Sequence, residues 1–214
     1  MAPPDGDDLD ARIGAALARI SLAARHLLQR SASTVQLSPM QALILERLAR
    51  QGPAGVGDLA ATLAVRPPTV SDSLDALERR GLLRRTTDDE DARRVVVRLT
   101  VRGRRLAAEL ALWPDLLAGA VSRLSRADRE ALLRVLLTIV AELVARGVVY
   151  EARMCTTCDY FRPFAHRGWP APHHCALLDA PLADAALRLD CPDHRPLDRD
   201  GLVRRLPVLQ QGAP

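Results

Sequence analysis

Lysine is absent from this chain, so all thirty of its strongly basic residues are arginine. Arginine keeps its charge at any physiological pH and grips phosphate with a planar fork, although an all-arginine, alanine-rich composition also follows from a GC-rich genome. Aromatic residues are scarce at 3%. A core must therefore be built of Leu, Val and Ala, which suits helix packing. No long apolar run exists either. The most apolar stretch, residues 131–149, is interrupted by Arg134, Glu142 and Arg146, which excludes a membrane span. Residues 1–8 are acidic and carry no apolar segment, so no signal peptide is expected and a cytoplasmic location is. No Ser-His-Asp grouping, phosphate-binding glycine loop or paired carboxylates stand out, and no enzymatic activity is expected.

What is present is unevenly placed. The 214 residues carry a formal net charge of +4. Residues 66–105 hold eleven Arg against seven Asp and Glu, a surplus of four that equals the charge of the whole chain. A concentrated basic surplus is the electrostatic pattern of a nucleic-acid binder.

The local patterns within and around that segment are helical, then strand-like. Residues 9–28 space Leu9, Ile13, Leu17, Ile20, Ala24 and Leu27 along one face of a helix. Ser38, Pro39 and Gln41 form a helix start of the capping-box type, with Leu43, Ile44, Leu45 and Leu48 as its buried face. Gly52 and Pro53 end that helix. Asp58 is expected to open the next, with Leu59 and Leu63 inward, and Val65-Arg-Pro-Pro68 forms a turn. A further helix from about Pro68 to Arg80 buries Val70, Leu74 and Leu77. It presents Thr69, Ser71, Asp72, Ser73 and Asp75 on its polar side, with Arg66 in the turn before it. Gly81 ends it. Residues 83–87 and 93–99 then flank an acidic tip, a hairpin carrying Arg84, Arg85, Arg93, Arg94 and Arg98. Asp91 is expected to pair with a nearby Arg and fix its guanidinium. Thr100 caps a following helix, Pro114 marks a break or kink, and Ser125 starts another helix with Leu132, Leu133, Leu136, Ile139, Val140 and Leu143 on a broad apolar face.

A short helix, a tight turn, a second helix and a two-stranded ribbon can set one helix in a major groove and the ribbon beside a phosphate backbone. The order of these elements, the run from Leu74 to Arg85, Asp91-Ala-Arg93 and Leu99-Thr-Val-Arg-Gly103 together resemble the MarR family of bacterial transcriptional regulators. The likeness spans roughly residues 8–147. It implies a winged helix-turn-helix that dimerises through its terminal helices. It also implies DNA reading by the helix around Thr69 to Arg79 and minor-groove contact from the wing, with Arg93 the best match. Many members carry a basic residue near the start of this helix, where this chain has Ser71-Asp72, and Asp72 is expected to accept from a cytosine amino group or to cap a neighbour.

Composition changes after Tyr150. Residues 161–194 hold five of the fifteen Pro and four of the five His, and both Phe fall there too. All four cysteines lie between residues 155 and 191, as Cys155-Thr-Thr-Cys158, then Cys175 after a gap of sixteen, then Cys191 after a gap of fifteen. Two thiolates of a CxxC can grip one ion across a tight turn. Clustered cysteines without a secretion signal favour a metal site over disulfides. A module this small and poor in apolar periodicity is expected to lean on a metal for stability. Zinc bound by Cys155, Cys158, Cys175 and Cys191 and an iron–sulfur cluster on the same four thiolates are both compatible. Cys191-Pro-Asp-His194 mirrors the CxxC, so His194, or His174, could replace one cysteine. His173 and His174 are otherwise expected outside the ligand set or at the surface, His166 exposed, and His26 without a metal role.

The sequence therefore predicts a mainly α protein with a small β-hairpin wing, divided as follows. Residues 1–37 form an N-terminal tail and dimerisation helix, 38–105 a winged helix-turn-helix, and 106–150 the C-terminal dimerisation helices. Residues 151–197 form a cysteine-rich metal-binding module, and 198–214 a tail about which the pattern says nothing. The expected DNA-contacting residues are Arg66, Thr69, Ser71, Asp72, Ser73, Arg79, Arg84, Arg93 and Arg94. The expected function is a homodimeric, DNA-binding transcriptional regulator, read as a repressor. It would bind a pseudo-palindromic double-stranded operator, with the cysteine module a brace or a sensor of metal or redox state. The alternative is a winged-helix protein-interaction factor with structural zinc or redox-active thiols.

Overall fold

A computed structural model describes residues 8–88, 91, 93–110, 112–150 and 152–211. Among these residues, eight α-helices and five short strands follow in order: α1 (Leu9–Thr34), α2 (Pro39–Gln51), α3 (Val56–Thr62), α4 (Pro67–Arg79), β1 (Leu83–Thr87), β2 (Val95–Leu99), α5 (Val101–Leu110), α6 (Leu112–Val121), α7 (Arg126–Ala145), β3 (Phe161–Arg162), β4 (His173–Cys175), β5 (Ala180–Leu182) and α8 (Arg199–Gln210). The described chain gathers into two compact units. One comprises Met1–Pro53 and Ser73–Gly119, the other Ala54–Asp72 and Ala120–Pro214.

In the first unit, local sequence sets the helix ends. The Ser38 hydroxyl accepts the Gln41 amide at 3.2 Å and the Gln41 side chain accepts the Ser38 amide at 3.0 Å, a reciprocal capping box. Helix α2 packs on α1, α5 and β2, and buries Ile44, Leu45 and Leu48. Gly81, at φ 67°, adopts the left-handed turn that closes α4 and lets the chain enter β1. Strands β1 and β2 pair antiparallel with Leu83 opposite Leu99 and Thr87 opposite Val95. Thr100 then caps α5: its hydroxyl accepts the Gly103 amide at 3.0 Å and donates to the Gly81 carbonyl at 2.8 Å. Gly103 sits so close to the end of α4 that a Cβ there would lie 1.9 Å from the Leu82 carbonyl oxygen. Residue 111 lies outside the described residues, and Pro114 falls in the first turn of α6, where a missing N–H costs little.

The second unit is built on α7. Ser125 caps it, accepting the Asp128 amide at 3.1 Å. The core comprises Leu137, Ala141 and Ala145 of α7, Leu202, Leu206 and Leu209 of α8, and Ala152, Met154, Cys158, Phe161 and Leu187 of the cysteine-rich segment. Two expectations change here. The segment after residue 198 forms α8, capped by Asp198, whose carboxylate accepts the Gly201 amide at 2.7 Å. The cysteine-rich segment also shares an apolar core with α7 and α8, so its folding does not rest on an ion alone. Side chains from α7 and α8 supply the burial that its own sequence lacks. Buried Thr156 donates to the Leu137 carbonyl at 3.2 Å, and Arg199 to the Ala145 carbonyl at 3.1 Å, fastening the segment and α8 to α7. Strands β3, β4 and β5 form a small antiparallel sheet in that order.

Candidate nucleic-acid interface and cysteine centre

Helix α3 begins one turn earlier than the sequence suggests. Gly55 precedes it, and Asp58, within its first turn, turns its carboxylate back to accept the Gly55 amide at 3.3 Å. The turn into α4 is held by backbone bonds from Leu63 to Leu59, Ala64 to Ala61 and Val65 to Ala60, with Ala64 at φ 54°. Helix α4 buries Val70, Leu74 and Leu77. Thr69, Asp72, Asp75 and Arg79 of α4 are exposed, as is Arg66 before it, whereas Ser71 and Ser73 are half-buried. The exposed side is therefore the polar side anticipated from its spacing.

Two carboxylates of α4 are not open to a ligand on their own. Arg85 of β1 reaches Asp75 at 2.5 Å and also bonds Glu78, whose other oxygen accepts the Arg85 amide at 3.1 Å. The Asp75 hydrogen bond, joined by the charges of both carboxylates, raises the Arg85 pKa further above its ordinary value. The acidic character of this helix is thus largely offset from the wing, leaving Asp72 as the exposed carboxylate in its N-terminal half.

At the hairpin tip, residues 89, 90 and 92 lie outside the described residues. Asp91 does not grip an arginine side chain as expected. Its carboxylate accepts the backbone amide of Arg93 at 2.9 Å, while the Arg94 amide bonds the Asp91 carbonyl at 2.9 Å. This is an Asx-type turn, in which the carboxylate shapes the backbone and Arg93 stays exposed. Arg84 and Arg94 are exposed beside it.

The arginine surplus divides by role. Arg80 donates to the carbonyls of Gln36 at 2.5 Å and Val35 at 3.4 Å, tying the end of α4 to the end of α1. Arg102 bonds the Arg80 carbonyl, Arg104 the Leu99 carbonyl, and Arg98 the Thr86 hydroxyl. These cations brace the fold, whereas Arg66, Arg79, Arg84, Arg93 and Arg94 stand exposed. Arg85 was absent from the anticipated site; its place opposite two carboxylates eight or so residues away was the missing signal, visible only once the hairpin is folded.

In the second unit, Cys155–Thr157 form one turn of 3-10 helix, and the Cys158 amide closes on the Cys155 carbonyl at 3.0 Å. Cys175 ends β4 opposite Phe161. The Cys191 amide bonds the Arg153 carbonyl at 2.9 Å. Arg188 joins two of the cysteines: its amide donates to the Cys155 sulfur at 3.2 Å, and its guanidinium lies 3.9 Å from the Cys191 sulfur. Burial pushes the Cys155 thiol pKa up and the Arg188 amide pulls it down, while Cys191, Cys158 and Cys175 are near enough to raise it again. The charges of the other three cysteines thus act on the Cys155 thiol. Among the described residues, no group of three or more Cys, His, Asp or Glu side chains is placed to hold a metal ion.

The histidines are engaged elsewhere. His173 is 1% exposed, donates from Nε2 to Asp184 at 2.8 Å, accepts the Phe164 amide at Nδ1, and packs against Phe161 and Phe164. It is a buried post, not a surface residue. Arg134 of α7 holds the second Asp184 oxygen at 3.0 Å. Burial lowers the His173 pKa, partly opposed by Asp184. His174 faces His166 at 3.2 Å on one nitrogen and Asp179 at 3.4 Å on the other. His166 is half-buried and stacks on Trp169. The His194 ring meets the Thr157 hydroxyl at 3.1 Å.

A capped helix, a left-handed turn, a second helix and an antiparallel hairpin leading straight into another helix define a winged helix-turn-helix protein. The MarR family profile matches residues 37–95. The transcriptional regulator PA3341 is 32% identical over 61% of this chain and 97% of that one, with a TM-score of 0.53. The S. aureus MepR–DNA complex is 26% identical over 61% of this chain and 97% of that one, with a TM-score of 0.50. No curated protein matches the chain. The chain belongs to the MarR family of winged-helix transcriptional regulators. Each of those two structures is nearly fully spanned, and the rest of this chain has no counterpart in them. Among the described residues, no helix is long and apolar enough to cross a membrane.

Proposed function

We propose that this protein binds double-stranded DNA as a homodimer at a pseudo-palindromic operator and represses transcription, with α4 in the major groove and the wing on the backbone. The observation that carries this reading is the exposed polar face of α4 together with the exposed Arg84, Arg93 and Arg94 of the wing. Thr69, Ser71, Asp72 and Ser73, at the N-terminal half of α4, are the residues for base edges. Arg66, Arg79 and the wing arginines are those for phosphates and the minor groove. The likeness to a DNA-bound MepR supports the same use of the helix. Selection of duplexes from a random pool, followed by footprinting, tests it. Two protected half-sites about one helical turn apart are expected; recovery of no preferred sequence overturns it.

The four cysteines are assigned to a zinc ion or an iron–sulfur cluster that serves as a brace or a sensor. The donor chemistry supports this: four cysteines between residues 155 and 191, a tight CxxC turn, and an amide N–H already directed at one sulfur. An ion would hold the thiolates, and the N–H to Cys155 would stabilise its negative charge. Metal analysis and the visible spectrum of full-length protein purified without oxygen decide the identity. A brown protein with iron and acid-labile sulfide indicates a cluster, and a colourless one with zinc indicates the ion. Protein with neither, or metal content that survives Ser at positions 155, 158, 175 and 191, overturns the assignment.

A further inference from the structure

One residue binds the cysteine centre to the helix-turn-helix. Arg153 holds Cys191 from both sides: its carbonyl accepts the Cys191 amide at 2.9 Å, and its Nε and Nη2 donate to the Cys191 carbonyl at 3.1 and 3.0 Å. Nη2 also donates to the Pro192 carbonyl at 2.9 Å. The remaining arm of the fork, Nη1, donates to Asp58 of α3 at 2.7 Å. The other Asp58 oxygen is the one that accepts the Gly55 amide at the start of α3. A second tie lies at the far end of the same helix, where the Thr62 hydroxyl donates to Asp190 at 3.0 Å. Asp190 in turn stands 3.6 Å from Arg153 Nε.

Both ends of a seven-residue helix are therefore pinned to residues 190–192, next to one of the four cysteines. Helix α3, the turn after it and the first residues of α4, through Asp72, lie in the same compact unit as the cysteine-rich segment. The turn is backbone-bonded throughout, so displacement of α3 carries Thr69, Ser71 and Asp72 with it. Among the described residues, Arg153 bonds carbonyls and carboxylates and no sulfur. It reads the backbone of the Cys191 loop, and that backbone is ordered by whatever holds the Cys191 thiolate.

We propose that Arg153 is the positioning residue through which occupancy of the cysteine centre sets the pose of α3 and the DNA-reading end of α4. This rests on the metal assignment above. With the centre filled, the Cys191 and Pro192 carbonyls are fixed and the guanidinium fork is aimed at Asp58. With it empty, the loop relaxes, the fork loses its two carbonyl anchors, and α3 loosens. A planar fork with fixed donor directions suits this role, and a lysine cannot reproduce it.

The test uses full-length wild type, Arg153→Lys and Thr62→Val, each folded by circular dichroism. Metal content per chain is measured alongside affinity for a duplex selected by the wild type, before and after chelation. Stripping the wild type should lower affinity about tenfold, within the usual range of coupling between sites. Arg153→Lys should keep the wild-type metal content yet bind DNA as weakly as stripped wild type, with no further loss on chelation. Thr62→Val should show a smaller chelation response than wild type. Loaded Arg153→Lys with wild-type affinity and wild-type response overturns the coupling. So does a metal-containing wild type whose affinity ignores chelation. A wild type without metal overturns the metal assignment itself, and the coupling with it, and is told apart by the analysis alone.

Discussion

At the scale of single residues, charge count and charge use are different things. Thirty arginines mark the chain as basic, but Arg80, Arg85, Arg98, Arg102 and Arg104 spend their donors on carbonyls, a hydroxyl and two carboxylates of the fold. Arg93 is exposed at a tip shaped by Asp91. Arg93→Ala should weaken DNA binding and lower the log–log salt slope by about 0.9, the value for one phosphate contact, as read by titration at several salt concentrations. An unchanged slope would remove the wing tip from the interface. Arg85→Ala should weaken binding for another reason: it leaves Asp75 and Glu78 uncompensated on the helix proposed to face DNA. The triple change of Arg85, Asp75 and Glu78 to Ala should then bind more tightly than Arg85→Ala alone. If both bind alike, the pairing has no bearing on DNA. Gly103 is a packing residue. A Cβ there would meet a backbone oxygen that no rotamer change can move, so Gly103→Ala should cost about 1–3 kcal/mol. Thermal denaturation should show this as a fall of several degrees.

At the scale of elements, capping and periodicity were legible because their signals are local. Ser38, Gln41, Thr100 and Ser125 act within three residues of themselves, and each caps as its spacing suggests. The hairpin was readable from its two β-prone runs, and its register sets Leu83 against Leu99 as the alternation requires. Helix α8 was not readable. Arg199, Pro207 and a sparse set of leucines give no strong period, and only the α7 surface makes Leu202, Leu206 and Leu209 an inner face. Leu206→Ala should therefore destabilise by about 2–5 kcal/mol, the usual cost of emptying a buried leucine site, measured by chemical denaturation. A near-neutral result would mean that α8 is not part of the core.

At the scale of the whole molecule, the N-terminal half of α1 leaves large apolar side chains exposed in the single chain: Leu9 at 65%, Ile13 at 46% and Ile20 at 54%. Their spacing is that of a packed face, and a second copy is the expected cover. If the chain dimerises as proposed, Ile13→Asp with Ile20→Asp should make it a monomer by light scattering and weaken operator binding. A variant still dimeric would move the interface off α1.

The sequence by itself determined the winged helix-turn-helix, its caps, its polar reading face and the presence of a cysteine cluster, because each is written within a turn or a hairpin. Tertiary structure alone decided which arginines brace and which stay exposed, that Asp91 shapes a turn, that His173 is buried, and that α7 and α8 complete the cysteine segment. It also decided the tie between the cysteine-rich segment and α3. Arg153 meets Asp58 across 95 positions and Asp190 meets Thr62 across 128. No local period or cap encodes a partnership at that distance; it exists only when folding closes the loop between them.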